Sequence, residues 1–104
     1  MKVTILNGGT VSSVADVSNS GHLLGFVMPA AFTGATVGFQ VSADGTTYAT
    51  LYNSSNNAVS ITVTQGRAYS FTADILSALS NWRYVKLVSG SAEGADRDIQ
   101  IWVR

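Results

Sequence analysis

The chain has 104 residues, and its six basic and six acidic side chains give a formal net charge of zero. Charged residues make up 12% of the chain, about half of the usual share of roughly 25%, whereas 46% are hydrophobic. This composition excludes a disordered tail, which lacks apolar residues, and a general nucleic-acid binder, which needs an excess of Lys and Arg. The length predicts a single domain spanning residues 1–104.

Short runs of alternating apolar and polar residues, separated by turn residues, predict β-strands along the whole chain. The predicted strands are 2–6, 10–18, 22–28, 35–42, 46–52, 58–64, 68–71, 83–89 and 97–103. Residues 74–79 predict a helix of about two turns, with Thr72 or Asp74 as the N-cap. We therefore predict an all-β fold, a single antiparallel β-sandwich of jelly-roll type with one short helix.

Two glycine-containing segments carry local predictions. Asp44-Gly45 is typical of a type I′ turn, and it predicts a tight two-residue hairpin loop between two strands. Residues 1–6 are apolar enough to pair as a strand, and Asn7-Gly8-Gly9 has the composition of a flexible hinge. We therefore predict that residues 1–9 form an N-terminal arm that adds to an open sheet edge of a neighbouring subunit.

The side chains that catalysis requires are largely missing. His22 is the single histidine and opens an apolar strand, there is no cysteine, and no nucleophile elbow or phosphate-binding loop occurs. We interpret His22 as a strand-edge residue and predict no catalytic residues, no metal site and no cofactor. Glu93, Asp96 and Asp98 either form local ion pairs with neighbouring arginines or supply oxygens to a calcium ion.

Three aromatic residues are candidates for contacts with a ligand or partner. Tyr48 and Tyr52 fall on the same face of a predicted strand, and Trp102 falls opposite the apolar side chains of the last strand, beside Gln100. An outward Trp or Tyr is typical of a protein interface or a sugar site. Alternatively, the helix or a loop of the same chain covers Trp102.

Several segments in fixed order resemble small structural proteins of tailed-bacteriophage virions. They are GFVMPAAFT at 25–33, FQVSADGTTY at 39–48, LY at 51–52, WRYVKLVSG at 82–90 and ADRDI at 95–99. The resemblance covers residues 21–104 and implies a non-catalytic virion component, of which head decoration or cement is the form we favour. A weaker similarity, carried by SADG at 42–45 and RYVKL at 83–87, is to discoidin-type (factor 5/8 C-terminal) sandwiches, although this chain lacks the disulfide of their secreted members.

The leading hypothesis is therefore a non-enzymatic capsid decoration or cement protein that stabilises the phage head. Its expected partners are the major capsid protein and further copies of itself, with a trimer favoured, and neither nucleic acid nor membrane. Because no export signal is present, we expect synthesis in the bacterial host cytoplasm and a final location in the virion. The alternative is a carbohydrate-binding module of a phage fibre or tail. The candidate interface residues are Met1, Val3, Ile5, Tyr48, Tyr52 and Trp102.

Overall fold

The computed structural model describes residues 1–18 and 21–104, which contain nine β-strands and one helix. In chain order these elements are β1 (Lys2–Ile5), β2 (Ala15–Asp16), β3 (Leu23–Val27), β4 (Thr36–Ser42), β5 (Ala49–Thr50), β6 (Ser60–Thr62), β7 (Ala68–Ser70), α1 (Ala73–Leu79), β8 (Tyr84–Ser89) and β9 (Arg97–Val103). The helix begins after Thr72, as predicted, but the Thr72 side chain makes no capping hydrogen bond. Asn19 and Ser20, where the sequence predicts a turn, lie outside the described residues.

The strands form two antiparallel sheets. One has four strands in the order β1-β9-β3-β7. The other has the order β2-β8-β4, and both β5 and β6 pair with the free edge of β4. Thus β1 pairs with β9, β2 with β8 and β3 with β7, which is the nested connectivity of a jelly roll. The predicted all-β sandwich is confirmed.

The core lies between the two sheets and follows from strand alternation. In β4, Val37, Phe39 and Val41 are buried, as the sequence predicts. Phe71, which follows β7, packs edge-on against Phe26 of one sheet and Phe39 of the other, at centroid distances of 5.2 and 5.7 Å. These aromatic contacts join the two sheets.

The N-terminal segment belongs to this core. β1 pairs with β9, and Val3 and Ile5 are only 1% and 0% exposed. The other edge of β1 is covered as well, because the Ser13 N–H donates to the Thr4 carbonyl (2.9 Å) and the Thr4 N–H donates to the Ser13 hydroxyl (3.0 Å). The prediction of a free arm that adds to a neighbour's sheet is therefore wrong, since β1 pairs with β9 along its length and is bonded to Ser13 on its other edge at Thr4.

The predicted hinge is also held in place. The Gly8 N–H donates to the Glu93 carbonyl (2.7 Å), and the Glu93 N–H donates to the Gly9 carbonyl (3.0 Å). The Asn7 N–H donates to a carboxylate oxygen of Asp96 (2.8 Å). Three hydrogen bonds thus tie this turn to the loop before β9, so residues 1–9 are an integral part of the sandwich.

The predicted strand at 10–18 is interrupted where the chain crosses between the sheets. Ser12 forms a bridge with Ile5 of one sheet, whereas Val11 forms a bridge with Val88 of the other. The crossing turns the side chains, so Ser12 is buried and Val11 is 37% exposed. Val11 therefore does not share a buried face with Ala15, and only β2 remains of the predicted strand.

The loop at Asp44-Gly45 is wider than a two-residue hairpin. Gly45 has the predicted positive φ, 80°, but Asp44 does not, which rules out a type I′ turn. Instead, one carboxylate oxygen of Asp44 accepts the N–H groups of Thr46 (2.8 Å) and Thr47 (3.0 Å). The hydrogen bonds from Thr47 and Thr46 lower the pKa of Asp44 to about 2. A side chain thus satisfies the N–H groups that a tight hairpin would pair across its strands.

Candidate functional site

Trp102 lies on the outer face of the four-stranded sheet. The inward residues of β9, Ile99 and Ile101, are 0% and 3% exposed, whereas Trp102 is 63% exposed and Gln100 is exposed beside it. The prediction that Trp102 points outward beside Gln100 is confirmed. The alternative, that the helix or a loop covers the indole, is wrong for the described chain.

An apolar groove of about 570 Å³ runs beside Trp102. Gly25 of β3 is paired with Trp102 of β9 on one side and with Ser70 of β7 on the other. Because glycine has no side chain, the row of these three residues across the sheet is open in the middle. A Cβ atom at Gly25 would collide with the backbone carbonyl of Tyr69, so this position requires glycine.

Apolar side chains flank the open row. Leu24 lines the groove, and Val27, paired with Gln100 in the register, is 43% exposed. We call the surface formed by Leu24, Gly25, Val27, Gln100 and Trp102 the Trp102 face. It is an exposed apolar surface that residues 1–18 and 21–104 leave uncovered.

The charged groups near this face lie at its margin. Arg104 lines one end of the groove. On β1, the Lys2 ammonium lies 3.1 Å from the Asp98 carboxylate, and both side chains are exposed. Hydrogen bonds from Thr4 and Lys2, followed by the charge of Lys2, lower the pKa of Asp98. An apolar centre with a polar margin is the usual anatomy of a protein interface.

The other aromatic candidates do not join the Trp102 face. Tyr48 is half-buried, the Lys86 ammonium lies 4.2 Å from its ring centroid, and its buried hydroxyl has no hydrogen-bond partner in residues 1–18 and 21–104. Burial is the main cause that raises the pKa of Tyr48. Tyr52 is 53% exposed but lines a different groove. Met1 is 61% exposed at the start of β1.

Val3 and Ile5, the remaining interface candidates, are core residues in the folded chain. Their side chains are almost completely buried. Only an opening of the sandwich would expose them to a partner. Their designation as interface residues is therefore corrected.

Glu93 forms the most completely bonded polar cluster of the described chain. Its side chain is fully buried, and each carboxylate oxygen accepts two hydrogen bonds. One oxygen accepts the Thr33 N–H (2.8 Å) and the Arg97 Nε–H (3.0 Å). The other accepts the Gly34 N–H (3.0 Å) and the Ser89 hydroxyl (2.8 Å). We call these five residues the Glu93 cluster.

The Glu93 cluster is built to hold loops together. Burial alone would raise the pKa of Glu93, but the hydrogen bonds from Thr33, Ser89, Arg97 and Gly34 outweigh it and lower the pKa. All four acceptor positions of the carboxylate are directed at protein donors, which leaves none for a cation. In residues 1–18 and 21–104, no group of three or more His, Cys, Asp or Glu side chains could hold a metal ion.

A second groove, of about 760 Å³, lies between α1 and the loop at 51–60. Its walls carry Tyr52 and Trp82, and the indole of Trp82 is half-buried against the core. No pattern in the sequence assigns Trp82 to a site, because it follows the helix in a turn where no alternation indicates which way it points. Its spacing three residues after Leu79, a buried helix residue, is the signal that was available.

His22 is exposed next to β3, and its backbone pairs with that of Arg104 through two hydrogen bonds of 2.7 and 2.9 Å.

In the described part of the chain, no helix is both long enough and apolar enough to span a membrane. Comparisons of the chain with family models, with curated proteins and with solved structures gave no match.

Proposed function

We propose that this protein is a non-enzymatic structural component of a tailed-bacteriophage virion, which decorates and reinforces the head by binding the major capsid protein. The observation that carries the proposal is the exposed Trp102 beside an apolar groove. The motif order that resembles small virion proteins, given above, supports the same role. In this proposal the protein is made in the host cytoplasm and functions in the virion.

The chemistry of the Trp102 face favours a protein partner. Its centre carries an indole and aliphatic side chains, while Arg104 and the Lys2–Asp98 ion pair lie at the margin. Interface cores are depleted in charge and enriched in Trp, and truncating such an anchor often costs about 2 kcal/mol or more. With charged residues at 12% of the chain, the surface gives weak electrostatic repulsion between copies packed on a shell.

The proposed mechanism is thermodynamic. A protein that binds the assembled shell, and not the disassembled capsid subunits, stabilises the shell by mass action at every occupied site. Self-association into a trimer, the form we favour, would place several Trp102 faces on adjacent capsid subunits and raise the effective affinity.

The test is co-sedimentation with purified heads of the phage that encodes the chain, prepared without this protein. We expect the wild-type chain to bind saturably and to raise the temperature at which the heads release DNA. The mass of the isolated protein in solution, measured by light scattering, tests the trimer. Heads that neither bind the protein nor gain stability would contradict the proposed function.

A further inference from the structure

The groove between α1 and the loop at 51–60 has a different character from the Trp102 face. We call it the helix groove and define it by Tyr52, Asn53, Thr72, Asn81 and Trp82. The remaining lining consists of four serines, five aliphatic side chains and Asp74, which is the single charged residue in it. The two aromatic rings thus stand among neutral polar and aliphatic groups.

Both walls of the helix groove are held by the fold. In the loop, the Asn53 N–H donates to the Asn57 carbonyl (2.9 Å), and the Asn53 side-chain oxygen accepts the N–H groups of Ser55 and Asn57 at 3.0 Å. The Leu51 N–H donates to the Phe39 carbonyl (2.9 Å), which fixes the loop to β4. A ligand would therefore meet a wall that is already ordered and needs little loss of entropy on binding.

The opposite wall is the helix, which is fixed by its apolar face. Leu79 is buried, and Ile75, Leu76 and Ala78 pack against the core. Trp82 follows in a turn in which its N–H donates to the Leu79 carbonyl (3.1 Å). The indole is therefore held in place by packing and by the backbone.

Polar groups in the helix groove are open to a ligand. Within residues 1–18 and 21–104, the exposed side chains of Thr72, Asp74 and Asn81 make no hydrogen bond to the protein, so water occupies their donors and acceptors until a ligand replaces it. Together they offer a hydroxyl, a carboxylate and an amide, which supply both donors and acceptors. Such groups bind a ligand that carries several hydroxyls.

The charge of the lining restricts the ligand further. No Lys, Arg or His lines the helix groove, and Asp74 would repel an anion, so phosphate-bearing and sulfated ligands are disfavoured. A purely apolar ligand would leave the polar lining without partners. A pyranose ring fits both conditions, because its C–H face stacks on an aromatic ring while its hydroxyls form hydrogen bonds.

We propose that the helix groove is a binding site for a neutral oligosaccharide, with Tyr52 and Trp82 as stacking surfaces and Thr72, Asp74 and Asn81 as hydrogen-bonding groups. The volume of about 760 Å³ is within the range of ligand sites and accommodates more than one sugar ring. This site is separate from the Trp102 face, and its occupancy does not depend on capsid binding.

The test is titration of the isolated ¹⁵N-labelled protein, followed by NMR, with neutral oligosaccharides of β-linked glucose, α-linked glucose, mannose and N-acetylglucosamine. We expect at least one of them to give saturable shifts confined to residues 51–60 and 72–82, with a Kd of about 1 mM or tighter. A sulfated heparin oligosaccharide should give no shifts there. The absence of shifts with every neutral sugar would overturn the proposal.

Variants distinguish this site from the rest of the surface. Tyr52→Ala should weaken binding about fivefold or more, and Asn81→Ala should weaken it too, with thermal unfolding confirming that both variants fold. Trp102→Ala and Asn57→Ala, whose side chains lie outside the groove, are the matched controls and should bind like wild type. Sugar binding that Trp102→Ala abolishes and Tyr52→Ala leaves intact would overturn the proposal, whatever the outcome with phage heads.

Discussion

The Glu93 cluster and the Trp102 face both lie next to β9, yet they are opposites in how far the chain satisfies them. Each oxygen of Glu93 accepts two hydrogen bonds from the protein, and the side chain is fully buried. Trp102 leaves 63% of its surface exposed beside an open groove. The first region stabilises the fold, and the second has contacts to offer only to another molecule.

Unusual residues therefore indicate a site only where their interactions within the chain are incomplete. A carboxylate-rich loop and an outward tryptophan are both conspicuous in the sequence. These carboxylates accept hydrogen bonds from donors within the chain. Asp96 accepts the Asn7 N–H, and Asp98, in β9, accepts from the side chains of Thr4 and Lys2. Trp102 has no such partner among the residues that the structure describes. The predictions below test whether the first region affects folding alone and the second association alone.

The largest expected effect concerns β1, which connects the two regions. Because the Ile5 side chain is 0% exposed in the core, Ile5→Ala should lower the free energy of unfolding by about 3 kcal/mol. Leu6→Ala, at a 65% exposed position directly after the same strand, is the control and should change it by less than about 0.5 kcal/mol. Urea unfolding measures both. Equal, small effects would show that β1 is a detachable arm after all.

A loss of about 2–4 kcal/mol is expected for Glu93→Gln. The glutamine NH₂ group would face two donors that the carboxylate accepts, and Arg97, whose side chain is 15% exposed, would lose its counter-charge. Asp96→Asn is the matched control, because Asp96 is exposed and accepts only the Asn7 N–H in the described chain. If the two variants were equally stable in urea, the Glu93 cluster would not be the structural clamp that we describe.

Acid should destabilise the protein through the same carboxylate. Folding lowers the pKa of Glu93 from its ordinary value of 4.5, so its contribution to stability is present above that pH and is lost as the pH falls through the folded value. The free energy of unfolding should therefore decrease below pH 4.5. Glu93→Gln should flatten this decrease but not remove it, because folding also lowers the pKa of Asp16, Asp44 and Asp98. Identical pH dependence in the variant and the wild type would contradict this assignment.

The smallest expected effect is that of calcium. Because the acceptor positions of Glu93 are filled by protein donors, EDTA or added calcium should shift the melting temperature by less than about 1 °C. Differential scanning calorimetry at matched ionic strength measures this. A rise in melting temperature with calcium, reversed by EDTA, would show that the loop at 93–98 is a calcium site.

Local patterns in the sequence predicted the parts of the fold that depend on alternation. The strand β9 and the outward direction of Trp102 follow from apolar residues at every second position between Arg97 and Val103. The strand β4 follows in the same way, whereas the helix follows from another local signal, a residue of the N-cap type at Thr72 before residues 74–79. These elements need no knowledge of the partner strand, so the sequence is sufficient for them.

Features that depend on distant partners were missed or misjudged. The pairing of Lys2 with Gln100 joins the two ends of the chain, and nothing near Lys2 indicates it. The burial of Glu93 depends on donors from the loop at 33–34 and from β8 and β9. The expected local ion pair with an arginine is present at Arg97, but nothing near Glu93 in the sequence indicates its burial. At Asp44, the prediction of the turn considered the backbone preference of Gly45 and omitted the acceptor capacity of the neighbouring side chain.

The most direct test of the account is to measure folding and head binding of Trp102→Ala in parallel, with Tyr52→Ala as the control at another exposed aromatic residue. We predict that thermal unfolding of both variants stays within about 1 kcal/mol of wild type. Co-sedimentation with phage heads should weaken about 30-fold for Trp102→Ala and remain unchanged for Tyr52→Ala. If Trp102→Ala instead bound heads like wild type, or lost binding only in proportion to lost folding, the Trp102 face would not be the capsid-binding surface.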